Sequence, residues 1–217
     1  MYVNAVNKSF NLIVLSCLMY VGFSLSPVLG AESYPWWSQD ITECDRQASH
    51  RRDPYHVAPG VSKIQMNFAV AEKVCLEALA DDPNNPRLNY QLGRVYGYSG
   101  QWEKGMPYRL KAVELEYPQS LFVIGWLYLT GDTIDKKDTC KTHDMWLRSA
   151  DLGRLAAQVA LPRYYLRGDF QGCDNLVALK ELQRFLAMAK EQTNDFYTEM
   201  LIEDLTLSIS KLAVSNS

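Results

Sequence analysis

Ile124-Gly125-Trp126-Leu127-Tyr128-Leu129-Thr130-Gly131-Asp132 decides the fold, because the chain writes it more than once. Leu92-Gly93-Arg94-Val95-Tyr96 repeats its first half. Tyr165-Leu166-Arg167-Gly168-Asp169 repeats its second half. A recurrence with a period in roughly the mid-thirties of residues is the signature of stacked helix pairs. Its chemistry is packing. Gly93 and Gly125 let the two helices of a pair approach closely, while Leu92, Ile124 and Leu161 fill the seam. Tyr96, Tyr128 and Tyr165 pack between successive pairs. Pro162 stands where the third unit would have glycine, so that helix is expected to kink and its unit to be degenerate.

Outward from these repeats the pattern stays helical. Ile64, Phe68, Ala71, Cys75 and Leu79 recur every three or four residues as an apolar stripe. Ser62 with Gln65 as a capping box, and Val61 with Met66 as a hydrophobic staple, mark its start. The stripe ends at Asp81-Asp82-Pro83-Asn84-Asn85-Pro86, where Asn85-Pro86 opens the next helix as cap and first residue. Helices are predicted over 87–99, 102–116, 118–130, 138–152, 155–167, 176–190 and 195–212, with Gly100, Gly131, Gly153 and Gly168 as stops. No stretch alternates with the two-residue period of a half-buried strand.

The front of the chain reads as an export signal. Lys8 precedes an apolar run from Leu12 to about Leu25, followed by Pro27 and the small-residue stretch Val28-Leu29-Gly30-Ala31. Cleavage is expected after Gly30, with Val28 at the −3 position; the alternative is retention as a membrane anchor. Cys17, a poor match to a lipid-attachment site, would leave with the signal. The remaining Cys44, Cys75, Cys140 and Cys173 form an even set in an exported chain, which points to disulfides. Three pairings are possible, and Cys44–Cys75 with Cys140–Cys173 is the expected one. The formal net charge of −3, one unit more negative without Lys8, speaks against nucleic-acid binding.

The middle of the chain resembles a known family. Met145-Trp146-Leu147-Arg148-Ser149-Ala150-Asp151-Leu152-Gly153, after Asp138-Thr139-Cys140-Lys141, is similar to the second helix of a Sel-one-like repeat, a relative of the tetratricopeptide repeat. Ile124-Gly125-Trp126-Leu127-Tyr128 with Gly131 resembles the first helix of the same repeat. Asn85-Pro86 to Pro118 is closer to a plain tetratricopeptide repeat, through Leu92, Gly93, Tyr96, Ala112 and Pro118. The resemblance covers roughly residues 79–190. Gly105, Cys140, Thr142 and His143 depart from it. The segment from Glu43-Cys44 through Asp53-Pro54 to Cys75 looks like the cysteine-linked front piece that precedes such repeats in exported bacterial proteins. The resemblance implies an all-α fold, a short right-handed α/α superhelix (solenoid) of helix hairpins between capping helices. It also implies an adaptor that binds a protein or peptide partner.

In such a stack the first helix of each pair lines a concave face. The repeat alignment puts Arg87, Tyr90, Arg94 and Tyr98, then Phe122 and Trp126, then Arg163 and Arg167 on it. Arginine forks hold carboxylates, and Tyr and Trp supply rigid contact area, so this set is the expected peptide groove. The other reading is that the aromatics are core and the arginines solvated. Tyr34, Pro35, Trp36 and Trp37 are expected to cap the open end of the first pair. His143 follows Cys140 by one helical turn, but no Cys-x-x-Cys or His-x-x-x-His pair supplies further ligands, so neither metal nor cofactor is expected. No Gly-rich phosphate loop, Gly-x-Ser-x-Gly or paired-carboxylate motif appears, and no catalytic residue is assigned.

The organisation that follows is a signal peptide over 1–30, disulfide-linked capping helices over 31–80, helical repeats over 81–192 and a capping helix over 193–217. The expected function is that of a periplasmic or secreted adaptor, not an enzyme, with no membrane span after signal cleavage. The alternative is a cell-envelope enzyme or a peptidoglycan- or β-lactam-binding factor, to which cysteine-rich exported members of the family have been linked.

Overall fold

The computed structural model describes residues 34–132 and 136–215. The chain divides into two compact units, Met1–Trp36 and Trp37–Ser217. The expected signal lies outside the described residues. The second unit holds nine helices among the described residues: α1 (Glu43–Ala48), α2 (Phe68–Asp81), α3 (Pro86–Tyr98), α4 (Trp102–Glu114), α5 (Pro118–Thr130), α6 (Thr139–Asp151), α7 (Leu155–Leu166), α8 (Leu179–Gln192) and α9 (Phe196–Ser215). No strand occurs among the described residues, and no helix there is long and apolar enough to cross a membrane. From α2 onward each helix packs on the next one in sequence, the neighbour-on-neighbour order of a solenoid. Outside that order, α1 packs on both α2 and α3, and α9 reaches back to α7.

The tightest pairs are α3 with α4 and α5 with α6, and glycine sets both approaches. A Cβ on Gly125 would lie 2.5 Å from Cδ1 of Trp146, which is fully buried. The Trp146 indole then donates to the Phe122 carbonyl at 3.0 Å. A Cβ on Gly105 would meet the Tyr96 Cβ at 2.9 Å and the Gly93 carbonyl oxygen at 3.1 Å. That accounts for the glycine at this position. The other departures have reasons too. The Thr142 hydroxyl reaches the Gly125 carbonyl at 3.1 Å, and His143 Nε2 accepts the Val177 N–H at 3.2 Å. His143 is thus the neutral acceptor that fastens the loop after Phe170; burial holds its pKa below the ordinary value. Cys140 is bonded to Cys173, and Cys44 to Cys75. These are the expected pairings.

One local expectation is corrected. Ser62 and Gln65 do exchange their capping-box hydrogen bonds, but they close only an isolated turn, and Ile64 is 97% exposed. The helix begins six residues later, where Asn67 accepts from the Val70 N–H. The sequence carries two start signals, and the second one nucleates the helix. Pro162 is buried inside α7, which runs continuously from Leu155 to Leu166.

α3 departs from an ordinary amphipathic helix, because every residue from Pro86 to Gly97 is buried, Arg87, Asn89, Gln91 and Arg94 included. The front segment makes this possible. The Arg87 guanidinium donates to both oxygens of Asp45 (2.8 and 3.2 Å) and to the Ser38 and Asp40 carbonyls (2.8 and 3.0 Å). Asp45 also accepts from the Thr42 N–H, the Thr42 hydroxyl and Gln91. Burial alone would raise the Asp45 pKa, but the bonds from Arg87, Thr42 and Gln91 outweigh it and hold the carboxyl below its ordinary value. Trp37, Tyr55, Tyr90 and Tyr117 form the aromatic floor of this cap, with Trp37 5.5 Å from both the Tyr55 and the Tyr117 ring.

Removing one member of a buried, fully bonded ion pair leaves the other uncompensated. Asp45→Ala is therefore expected to lower unfolding free energy by about 3–5 kcal/mol in urea melts with the disulfides intact. Asp45→Ala combined with Arg87→Met should lose clearly less than the sum of the two single losses, which a double-mutant cycle would measure. Gly125→Ala is expected to cost about 1–3 kcal/mol in the same melts, because the Trp146 ring has to shift.

Candidate binding groove

The first helices of the three repeat pairs, α3, α5 and α7, share a register. Arg87, Tyr90, Arg94 and Tyr98 on α3 correspond to Gln119, Phe122, Trp126 and Thr130 on α5. On α7 the same positions are Ala156, Val159, Arg163 and Arg167. The structure gives these equivalent positions different surroundings.

On α3 they are occupied from within the chain. Arg94 donates to the carbonyls of Ala48, Ser49 and Val61 at 2.8, 3.1 and 2.6 Å. Arg87 holds Ser38, Asp40 and Asp45 as described. Tyr90 is buried and accepts from Gln119 at 3.2 Å; burial pushes its pKa up to about 12. The expectation that Arg87, Tyr90 and Arg94 face a partner is thus corrected: the cap already lies on them. Tyr98 is half-buried at the edge of the cap, its ring 4.7 Å from the Arg94 guanidinium. Arg167 is exposed, pairs with Asp169 at 3.1 Å and lies over Tyr164; it lines a smaller pocket of about 330 Å³ with Tyr165, Phe170 and Leu212.

Phe122, Trp126 and Arg163 remain open. They line a groove of about 1220 Å³ along α5 and α7. Its walls include the turn His50–Pro54 of the cap and the α8–α9 connection from Gln192 to Asp195. Phe122 stacks on Trp146 with ring centroids 5.6 Å apart, and Trp126, 44% exposed, stands beside it. Arg154, which sequence reasoning missed, sits at the N-cap of α7, with its Nε bonded to Gln119 and its guanidinium 5.3 Å from the Phe122 ring. A signal for it did exist: Asn85 and Tyr117 are the N-cap residues of α3 and α5, and both also contact the cap. His50, Arg51, Arg52 and Asp53 were missed because only the fold brings the cap turn to α5 and α7.

The groove is electropositive at its cap end. Burial lowers the His50 pKa to about 4, and Arg94, Arg154, Arg52 and Arg51 all act in the same direction. Asp53 is the buried counterweight. Its oxygens accept from the Tyr117 hydroxyl at 2.7 Å and the Tyr55 N–H at 3.1 Å, yet burial still raises its pKa to about 6.

A tetratricopeptide-repeat family model matches residues 74–106, from the end of α2 through α3 into α4. That stretch is similar to a tetratricopeptide repeat. Among solved structures, this repeat protein is similar to a Sel1 repeat protein from Oxalobacter formigenes, at 23% identity over 59% of this chain and 95% of that chain, with a TM-score of 0.49. No curated protein matches the repeat protein.

The two shifted groups make opposite contributions to pH dependence. His50 has a folded pKa of about 4 against an ordinary 6.5, so the unfolded chain binds the proton more tightly and stability falls as pH drops through that interval. Asp53 has a folded pKa of about 6 against an ordinary 3.8, so the folded chain binds the proton more tightly and stability rises as pH drops. In the wild type they largely offset one another. Melting temperatures measured across that range should rise on acidification in His50→Gln relative to wild type, and fall in Asp53→Asn. Parallel profiles for all three proteins would contradict the assignment.

Proposed function

We propose that this chain is an exported adaptor that binds an extended segment of a partner protein in the groove along α5 and α7. One observation carries the reading. α3 already holds other segments of the chain at the same register: Arg87 and Arg94 grip main-chain carbonyls before α1, at its end and in the loop after it, and Tyr90 packs in the aromatic floor beneath the cap. The equivalent face of α5 and α7 has the same mix of aromatic and arginine side chains, Phe122, Trp126 and Arg163, along an open groove. The face that binds chain in the first repeat is thus available in the next two. Repeat folds of this kind commonly serve as interaction scaffolds, which supports the reading by analogy. Export is supported by the two disulfides, a feature of oxidising compartments, and by the apolar run with small residues before Ala31.

The alternative of an envelope enzyme has less to support it. The four described cysteines are consumed in disulfides, and both oxygens of Asp53 are engaged by Tyr117 and Tyr55. Of the threonines that line the groove, Thr193 is the C-cap of α8 and accepts the Asp195 N–H, and the Thr198 hydroxyl donates to Asp195.

A photo-crosslinking amino acid at position 126, introduced in the cells that make the protein, is expected to give a discrete adduct that is lost when Arg163→Glu is added. The same probe at the solvent-facing position 110 should give none. Equal adducts from both positions, or none from 126 in folded protein, would overturn the reading.

A further inference from the structure

The cap end of the groove has the makings of a site for a single anionic group. The first-turn N–H groups of α7, on Leu155 and Ala156, have no acceptor among the described residues, and both residues line the groove. On α3 the residue equivalent to Leu155 is Pro86, which has no N–H, and the N–H equivalent to that of Ala156, on Arg87, is satisfied by the Asn85 side chain. A helix start with open N–H groups attracts negative charge through its donors and its dipole. By itself that is a common feature of helices, but here a second one coincides with it.

Arg154 is only 6% exposed, and its single side-chain hydrogen bond runs from Nε to Gln119. Its two terminal nitrogens have no hydrogen-bond or ion-pair partner among the described residues, although the residue lines the groove. The stem of this side chain is buried while its fork opens to the groove, where a planar anion can receive two parallel bonds from it. His50 adds a third sign, since its Nδ1 is buried without a partner in the same wall. Arg51, Arg52 and Arg163 line the groove and form no ion pair with a described residue. The acidic groups facing this cluster are two. Asp53 is engaged by Tyr117 and Tyr55, and Asp195 by the Thr198 N–H and hydroxyl at the start of α9. Neither accepts a hydrogen bond from an arginine.

We infer that the α7 N-terminus and the Arg154 fork form a carboxylate subsite, flanked by Arg51, Arg52 and Arg163, that anchors one end of the segment bound in the groove. The inference rests on the peptide-groove reading and specifies it. Phe122 and Trp126 would cover apolar side chains of the ligand, while the carboxylate fixes its register. The carboxylate can come from the terminus of a chain or from an aspartate or glutamate side chain. A carboxylate suits the site because a planar guanidinium receives it in two parallel bonds.

Two measurements separate this inference from the reading it rests on. The first titrates acetate into the protein, with chloride at equal ionic strength as the control, and follows the backbone amide signals of Leu155 and Ala156 and the His50 ring signals by NMR. Saturable shifts with acetate but not chloride are expected, and should be lost in Arg154→Gln. Because Arg154 is buried and bonded to Gln119, Arg52→Glu, at an exposed position, is the second variant and should weaken the acetate response while the fold is kept. The second measurement uses fluorescence anisotropy with pools of short N-acetylated apolar and aromatic peptides. One pool ends in a free carboxylate, one in an amide, and one in an amide with an internal glutamate.

Loss of a charge-assisted pair corresponds to a factor of about ten or more in affinity. The free-acid pool should therefore bind at least about tenfold tighter than the plain amide pool. The glutamate pool shows whether a side-chain carboxylate serves equally well. Equal binding of acid and amide pools, with no acetate response, overturns the carboxylate subsite and leaves the groove reading standing. An acetate response without binding of any pool keeps the subsite and overturns the groove reading.

Discussion

The buried pair of Arg87 and Asp45 is the constraint on which the other features of this molecule depend. An arginine on a helix surrounded by protein is costly unless acceptors reach its guanidinium, and here two carboxylate oxygens and two main-chain carbonyls bond all three of its nitrogens. That requirement fixes where α1 lies, and α1 carries Cys44 to within bonding range of Cys75 on α2, with Cα atoms 4.5 Å apart. The front segment is thereby held twice, by a covalent link to one helix and by a polar network to the next. A short repeat array has few internal interfaces, so this added closure of its first end matters more than it would in a long one.

The same constraint explains why the three repeat pairs look alike but behave differently. Equivalent positions on α3, α5 and α7 carry Arg94, Trp126 and Arg163, yet the first is sealed under the cap while the others border the open groove. The chain uses one surface for two purposes, attachment of its own front and contact with something else. Where the cap stops, at the turn His50–Pro54, it becomes a wall of the groove it would otherwise have covered. The positive field at that end follows directly, since the turn brings Arg51 and Arg52 toward Arg154.

Much of this was legible in the residues. Helix order and the close approaches at Gly93 and Gly125 follow from periodicity and small residues, which act locally or through the repeat, while cysteine parity pointed to disulfides but left three pairings open. The burial of Arg87 and Arg94 was not legible, because their partners are mostly main-chain carbonyls more than thirty residues upstream, and a carbonyl leaves no mark in a sequence. The start of α2 was misplaced for a different reason. Ser62 and Asn67 both carry cap chemistry, and only packing of Phe68, Ala71 and Cys75 against the front of the chain selects between them. Arg154 was overlooked because it precedes its helix rather than lying on the stripe.

Arg94 holds the front of the chain by carbonyl oxygens alone, those of Ala48, Ser49 and Val61. Such a clamp is indifferent to which side chains the clamped residues carry. The exposed side chains of the stretch between the clamped points, such as Arg51, Arg52 and Pro54, can therefore change without loosening its attachment, while Asp53, Tyr55, Ala58 and Gly60 keep the turn in place. Because that stretch also forms one wall of the groove, mutation there can retune what the groove accepts without first having to solve a folding problem. The scaffold separates the residues that secure the loop from those that give it a character, and so leaves the latter free to evolve.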